Sequence, residues 1–596
     1  MCNIKINQEI TTMPLIQAPI KDIQFISEQV LDLDSHYKKL PKHHDMDAET
    51  FETIVDEAAK FLYEYAGPLN RNSDEQGCSI KDGHVTTPDG FVELYKNYCE
   101  SGWASLDGNP EFDGQGLPYW LSVIMGELNS YFCPGWSNYA GLTHGVKEMI
   151  EHHGNDEMKQ MFLAKLTTGE WAGTMCLTEP HCGTDLGLLN TAAQPIGDDM
   201  YALNGTKIFI TSGDHDLTDN IIHLVLARLP DAPKGTKGIS LFAVPKILDS
   251  ERNNAWPASI EHKMGLHGSA TCVMNFDGAK GYLVGKPNKG LNLMFSMMNG
   301  ARLNTGIQGL SVSSASYLGA LEYAKDRLQM RSLTGAKYPD KVADPIIVHP
   351  DVRKMLLTQK SISEGCRVLS YFTTQQIEIT KYSDNEEDRA RADAMVVILT
   401  PIVKAFITET ALEVTNLGIQ VYGGHGYIAE HGMEQLHRDA KIFTLYEGTT
   451  GIQALDLLGR KIMQYNHGSL GPIADVVYEF IDNNPDNPYS SELKKYMQQW
   501  QEITQTVMKK SMQNMDEMGA ASVDYLMYSG YVLLAYFWAQ TYQSAEKGGR
   551  FGQSFYNGKM KTCEFYYKRI LPRADLHVET MLSGSESLMQ MTEDEF

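Results

Sequence analysis

From Asp47 to Ala66, apolar residues recur every three or four positions: Phe51, Ile54, Val55, Ala58, Phe61, Leu62 and Tyr65. That is the spacing of one helical face. Asp47 stands where a side-chain cap is wanted, and Gly67-Pro68 supplies the stop. The same period predicts helices over 89–102, 118–131 and 143–169, so residues 47–170 read as all-helical. Beyond Trp171 the period shortens. YALNGTKIFITS (201–212), IIHLVLARL (221–229), KGISLFAVPK (237–246) and ATCVMNFDGAKGYLVG (270–285) are β-branched, strand-length runs, separated by Gly, Pro and Asp. Asn204-Gly205 between strand-like arms predicts a hairpin turn. Helical spacing resumes over 291–329, 350–382 and 387–418, and again after Glu447, where Ile452, Leu455, Leu458 and Ile462 share a face. A last helical block from about 470 is led by Leu493, Met497, Trp500 and Val507. Residues 1–46, with Pro14, Pro19 and Pro41, read as a loop-rich extension packed on the main body. The expected fold class is α+β and multidomain: extension 1–46, helical domain 47–170, β domain 171–290, helical bundle 291–465 and a further helical domain 466–596.

At 596 residues the chain exceeds a single core, and roughly three to five domains are expected. The 51 basic against 75 acidic residues leave a net charge of −24, which opposes binding to phosphate backbones. KDRLQMR (325–331) and YYKRILPR (566–573) are too short to overturn that, so no nucleic-acid partner is expected. Nine cysteines without CxxC spacing argue against structural zinc and disulfides and fit reduced thiols in a cytoplasmic setting. No secretion signal is apparent at the N-terminus. The apolar run Leu526–Ala539 is shorter than the about 20 residues a bilayer span needs, so a buried helix is expected and no stable membrane insertion. GYLVGKP (281–287) fails as a P-loop, and GxGxxG, GxSxG and HExxH are absent. His43-His44 and His152-His153 lack further ligands at metal spacing, so no metal is expected.

Chemistry concentrates in two places. In Arg438–Lys461, Ile442, Phe443 and Leu445 lead into Glu447-Gly448-Thr449-Thr450-Gly451, after which helical packing resumes. This puts a carboxylate on a short loop between buried flanks, suiting either a general base or an acidic helix start. In MCLTEPHCGTDLG (175–187), Thr178, Gly183, Thr184 and Gly187 gather hydroxyls and open backbone amides. Such a loop can bind a polar heterocycle or serve as a turn-rich linker.

Taken in order, MCLTEPHCGTDLG, KIFITSG (207–213), QVYGGHGY (420–427) and RDAKIFTLYEGTT (438–450) resemble the acyl-CoA dehydrogenase family, which uses FAD. The similarity covers roughly residues 60–465. The extensions and the wording of the first and last motifs resemble a large bacterial subgroup that includes 3-methylmercaptopropionyl-CoA and broad-range fatty acyl-CoA dehydrogenases. The resemblance implies the family's helical, β and helical-bundle domains plus an extra C-terminal helical domain. It implies that Met175, Thr178, Gly183 and Thr184 line the flavin, with Thr184 also beside the CoA portion of the substrate. Phe209-Ile210-Thr211 would cover the flavin face, with Phe209 where many members have tryptophan. Arg327 and Gln329 would reach the FAD of a neighbouring subunit, although Met330-Arg331 replaces the usual Phe-Gly. Gln420, Gly423 and Gly424 would lie near the same cofactor's pyrophosphate, and Thr449 and Gly451, which follow the base, would also be cofactor-binding. Arg302, Tyr446 and Glu447 would face the substrate. Glu447 is implied as catalytic base and, through its backbone N–H, as a donor to the thioester oxygen. The implied partners are an acyl-CoA substrate, an electron-transfer flavoprotein and a second copy of the chain. An acyl-CoA oxidase passing electrons to oxygen is the nearest alternative. A DNA-associated flavoprotein of the same superfamily is opposed by the charge balance, and the C-terminal block could also be an oligomerisation module.

Overall fold

The structure is a computed structural model and describes residues 16–197 and 199–596, with Ser296 described by its backbone alone. Residues 1–15 of the expected extension, Pro14 among them, lie outside the described residues. The rest of the extension is helical rather than loop-rich. Ile20–Phe25 and Leu33–Lys38 are helices whose Ile23, Phe25, Leu33 and Tyr37 are buried. Asp22 pairs there with Arg367 and Lys559, which ties the extension to both later helical regions.

The helix Ala48–Tyr65 begins as its spacing predicts, with the Asp47 carboxylate accepting the Thr50 N–H at 2.8 Å. Phe91–Glu100 and Tyr119–Phe132 come next. The expected helix over 143–169 is two. Pro134–His153 and Asp156–Thr168 are separated by Gly154, and Asn155 caps the second by accepting from Met158 N at 2.9 Å. The region is also not wholly helical. A small hairpin, Ser79–Lys81 with His84–Thr86, leans on the β domain through Asp214, which accepts from Val85 N at 3.2 Å.

Seven strands form the central sheet. Thr271–Val284, Met200–Thr211, Ala192–Gly197, Asn220–Arg228 and Ile239–Pro245 pair in that order and return to Thr271–Val284, closing a ring. Ala255–Ile260 adds outside Thr271–Val284, and Trp171–Cys176 runs parallel to Asn220–Arg228. Asn220–Ala227 and Ile239–Pro245 are buried throughout because both faces are covered. One packs inside the ring and the other against Pro134–His153 and Asp156–Thr168. The predicted hairpin at Asn204-Gly205 is not there, since both residues sit within the continuous strand Met200–Thr211. Gly205 answers a packing demand instead: a Cβ there would lie 2.4 Å from the Thr191 hydroxyl.

Gly290–Asp326, Pro350–Tyr382 and Glu386–Tyr422 form the bundle, joined by Met433–Phe443. Among the described residues one helix, Glu386–Tyr422, is long and apolar enough to cross a membrane, and it is mostly buried inside the protein. After Glu447 the chain is helical over Thr450–Leu455 and then π-wound over Asp456–Tyr465. That widening rotates the face, so Leu458 and Ile462 are buried while Leu455, predicted to share their face, is exposed. Five longer helices between Pro472 and Leu582 complete the chain. The apolar stretch 526–539 belongs to Asp516–Lys547 and is spent on the chain's own core. Trp538 Nε1 donates to the Ser361 carbonyl at 2.9 Å, and Phe406 packs edge-on against Tyr531.

A buried ion pair fixes the turn-rich loop after Trp171–Cys176. Glu179 accepts from Lys207 Nζ at 2.8 Å, from the Thr191 hydroxyl at 2.6 Å, and from the backbone N–H groups of Thr191 and Asn190. Burial opposes the charge on Glu179, but Lys207 and these donors outweigh it and bring its pKa down to about 2.

This packing is testable at two places. Because the folded pKa of Glu179 is depressed, its contribution to stability is present above the ordinary pKa of 4.5 and is lost as pH falls towards about 2. Glu179→Gln leaves Lys207 buried and unpaired, so unfolding curves should show a loss of about 3–5 kcal/mol and a weaker acid dependence; unchanged stability refutes the assignment. In Asp516–Lys547, a Cβ on Gly530 would meet the Phe406 ring at 2.1 Å, whereas one on Gly519 meets nothing within 4 Å. Gly530→Ala should therefore destabilise by about 1–3 kcal/mol, and Gly519→Ala should stabilise by about 0.5–1 kcal/mol; thermal unfolding gives both signs.

Candidate functional site

Glu447 lies between the end of Met433–Phe443 and the start of Thr450–Leu455. The reversal is too tight for ordinary backbone angles, and Glu447 takes a φ of 56°, with Gly448 at 91°. A non-glycine residue pays for that conformation, so it must be held. Gln453 Nε2 donates to the Glu447 carbonyl at 2.9 Å, Lys404 Nζ donates to the Gly448 carbonyl at 2.7 Å, and Thr450 N donates to the Thr444 carbonyl at 3.2 Å. Thr449 caps the next helix, accepting from Ile452 N at 3.4 Å, and open space beside Gly451 leaves room for a larger residue.

The Glu447 carboxyl is half-buried. Burial raises its pKa above the ordinary value, against the pull of Arg302 and Lys404. Burial likewise lowers Lys404, to about 8, with Glu447 and Glu409 opposing the fall. Arg302 is itself buried, 3.6 Å from Asp456 and 3.5 Å from the Asn299 side chain, with its Nε unpartnered. It is not among the residues lining the cavity that Glu447 and Tyr446 line, and its ion pair is with Asp456. The Tyr446 hydroxyl donates to Gln308 Oε1.

The cavity brings Met175, Thr211, Tyr446 and Glu447 together with Gly300, Asn304 and Gln308. Tyr95, Tyr98, Trp103 and Tyr119 of the first helical region line it too. Thr211 is placed by its carbonyl, which accepts from the Thr174 hydroxyl at 2.6 Å. Next to it, Phe209 has a φ of 58° on a bulge where Met200–Thr211 slips register against Thr271–Val284, while Ile210 beside it is buried. The bulge turns the Phe209 ring outward until it is 60% exposed, which an ordinary strand core residue would not be. Thr178 and Thr184 each present a hydroxyl with no partner among the described residues, and Gly183 is exposed beside them. A flat exposed ring, uncommitted hydroxyls and an open glycine fit a group with an apolar face and a polar edge, as FAD has. Glu179, His181 and Cys182 bring ligand-type atoms within 4.8 Å of one another, but the Glu179 oxygens are already taken by Lys207, Thr191 and Asn190.

The remaining implied cofactor residues gather elsewhere. Arg327 and Gln329 come just after the end of Gly290–Asp326, and Gln420, Gly423 and Gly424 end Glu386–Tyr422; all five are exposed. Tyr323 joins the two ends, stacking on Tyr422 at 4.0 Å and bonding to His425 Nδ1 at 2.9 Å. From Lys404 to Tyr422 the helix advances about 27 Å, so this face is distant from the base. Gly423 ends its helix at φ 61°.

Sequence reasoning did not single out Lys404, Gln453, Gln308 or the Glu179–Lys207 pair. Lys404 carried a signal, being a single cation in the apolar run VVILTPIVKAFIT (396–408). Gln308 and the Glu179–Lys207 pair depend on partners far apart in the chain, while Gln453 bonds back to a carbonyl six residues before it.

Comparison with known proteins places this geometry in a family. The model for the acyl-CoA dehydrogenase N-terminal domain matches residues 48–170, the middle domain 174–279 and the C-terminal domain 288–463. A model described as acetyl-CoA dehydrogenase C-terminal like matches 473–592. The 3-methylmercaptopropionyl-CoA dehydrogenase of Ruegeria pomeroyi is 42% identical over 454 residues, 75% of this chain and 76% of that one. A butyryl-CoA dehydrogenase of Syntrophomonas wolfei is 33% identical over 602 residues, 96% and 98% of the two chains. The crystal structure of a Bacillus anthracis acyl-CoA dehydrogenase complexed with FAD shares the fold, with a TM-score of 0.74 at 22% identity over 92% of this chain and 90% of that one. With successive family models spanning residues 48–592 and a related dehydrogenase aligned along nearly its whole length, the chain belongs to the FAD-dependent acyl-CoA dehydrogenase family.

Proposed function

We propose that the enzyme converts a short acyl-CoA to its trans-2-enoyl-CoA, with Glu447 removing the α proton. The observation that carries this reading is Glu447 lining a cavity, on a loop held at φ 56° and with its pKa raised by burial. An α proton beside a thioester is only weakly acidic, so a carboxylate of raised pKa is better matched to it than an ordinary one. FAD supplies the acceptor for the hydrogen leaving the β carbon. Met175, Thr178, Gly183, Thr184, Phe209 and Thr211 would hold its ring. Arg327, Gln329, Gln420, Gly423 and Gly424 would complete the site on a second copy, which their shared exposed face supports. Lys404 and Gln453 hold the base loop by its carbonyls, and the Glu447 N–H, which has no partner among the described residues, would be the donor to a thioester oxygen. A short acyl group is supported by relatives named for butyryl- and 3-methylmercaptopropionyl-CoA. Reoxidation by an electron-transfer flavoprotein rests on family membership.

Glu447→Gln should retain FAD and bind acyl-CoA but lose about 10²–10⁴-fold in turnover with an artificial electron acceptor. Near-normal turnover removes Glu447 from the mechanism, and peroxide release matching turnover in the wild type would favour oxygen as acceptor. The base works ionised, so kcat/KM should rise with pH through the raised pKa of Glu447. Lys404 favours the ionised base, so Lys404→Met should move this limb to higher pH and Lys404→Arg should move it less. A limb that stays in place, or moves to lower pH, contradicts the role given to Lys404.

A further inference from the structure

We infer that the cavity in front of Glu447 receives a short acyl group carrying a hydrogen-bonding heteroatom beyond its β carbon, and that Asn304 reads that atom. The inference rests on the cavity being the acyl site of the proposed reaction. Gly300, Asn304 and Gln308 recur every fourth residue on Gly290–Asp326 and all line the cavity. Gln308 is committed, accepting from Tyr446 and donating to Asn138 Oδ1 at 2.8 Å. The Asn304 amide has no hydrogen-bond partner among the described residues, and two other helices present glycines to it. A Cβ on Gly141 would lie 2.8 Å from Asn304 Nδ2, and one on Gly126 would lie 3.4 Å from Asn304 Oδ1. A Cβ at Gly141 would press on the amide, whereas one at Gly126 would only touch it, so Gly141 is the glycine that keeps its place open.

Two more uncommitted groups line the same cavity. Ser122, one turn before Gly126, has no partner for its hydroxyl among the described residues. His144, one turn after Gly141, bonds Asp107 through Nε2 at 2.7 Å, which leaves Nδ1 without a partner among the described residues. Polar capacity is therefore supplied from three helices to a cavity that Tyr95, Tyr98, Trp103 and Tyr119 also line. The cavity volume of ≈ 160 Å³ is close to the about 150 Å³ that accommodates benzene in an engineered protein cavity, room for a small acyl group. A plain alkyl chain there would strip water from the Asn304 amide without returning a hydrogen bond. A heteroatom at the γ position would return one, and sites that hydrogen-bond a substrate discriminate strongly against its apolar isostere.

The test compares 3-methoxypropionyl-CoA with pentanoyl-CoA, which differ by an oxygen for a methylene at the γ position. Dissociation constants are measured by flavin absorbance titration on the FAD-loaded Glu447→Gln enzyme, so that turnover does not enter. The ether should bind about tenfold or more tightly than the alkyl chain. Adding Asn304→Leu, of similar size, or Asn304→Ala, which leaves space, should collapse that preference to within about threefold while FAD content and thermal unfolding are retained. Equal affinities in the parent, or a preference that survives both substitutions, overturns the inference. A wild-type enzyme that oxidises neither thioester overturns the dehydrogenation reading instead, because the binding ratio is read without turnover.

Discussion

The left-handed backbone of Glu447 is the constraint on which the rest of the site depends. A glutamate does not hold φ near 56° by preference, and the surrounding helices have to impose it. Lys404 supplies one hold from the buried helix Glu386–Tyr422, and Gln453 supplies another from the helix just beyond the loop. Lys404 can reach the loop because Gly290–Asp326 and Glu386–Tyr422 approach closely. A Cβ on Gly306 would lie 2.7 Å from Val403, so the contact needs glycine there. The C-terminal helix Asp516–Lys547 backs the same bundle through Gly530 against Phe406 and through Trp538 on Ser361. The additional domain thus packs on the helix that carries Lys404, next to it at Phe406.

A second strained residue marks the other wall of the site. Phe209, like Glu447, has a positive φ, and a β-bulge turns its ring out of the sheet. Behind it, the Glu179–Lys207 pair holds the 175–187 loop to the strand that carries Phe209. The base and the exposed ring therefore sit in different domains, and a buried lysine helps to hold each, Lys404 in the bundle and Lys207 in the β domain.

Local signals carried much of this. The Asp47 cap, the start of strand at Trp171 and the bounds of Pro350–Tyr382 arise from nearest-neighbour chemistry that a window of a few residues contains. The break at Glu447 was legible for the same reason. Asn204-Gly205 misled because glycine has two uses, and here close approach to Thr191 took precedence over a turn. Leu455 misled because a helical period assumes α winding, and the π-wound Asp456–Tyr465 does not keep it. The pairing of Arg302 with Asp456, and the reach of Lys404 to Gly448 across 44 residues, are tertiary facts that periodicity does not encode.

The arrangement of charge also explains how the base can keep a raised pKa with two cations beside it. Two unopposed cations near a carboxylate would drive its pKa down. Arg302, however, faces Asp456, a carboxylate that also pairs with Arg460 and lies 3.9 Å from Lys461. Asp456 offsets part of the positive field of Arg302, which still lowers the Glu447 pKa more than Lys404 does. Lys404 points its ammonium at a backbone carbonyl rather than at the carboxylate, and its own burial weakens its hold on its proton. Desolvation of Glu447 then outweighs what remains of the attraction, and the shift is upward. Lys404 thus both fixes the backbone of the base loop and tunes the charge of Glu447, whereas Arg302 acts on that charge alone.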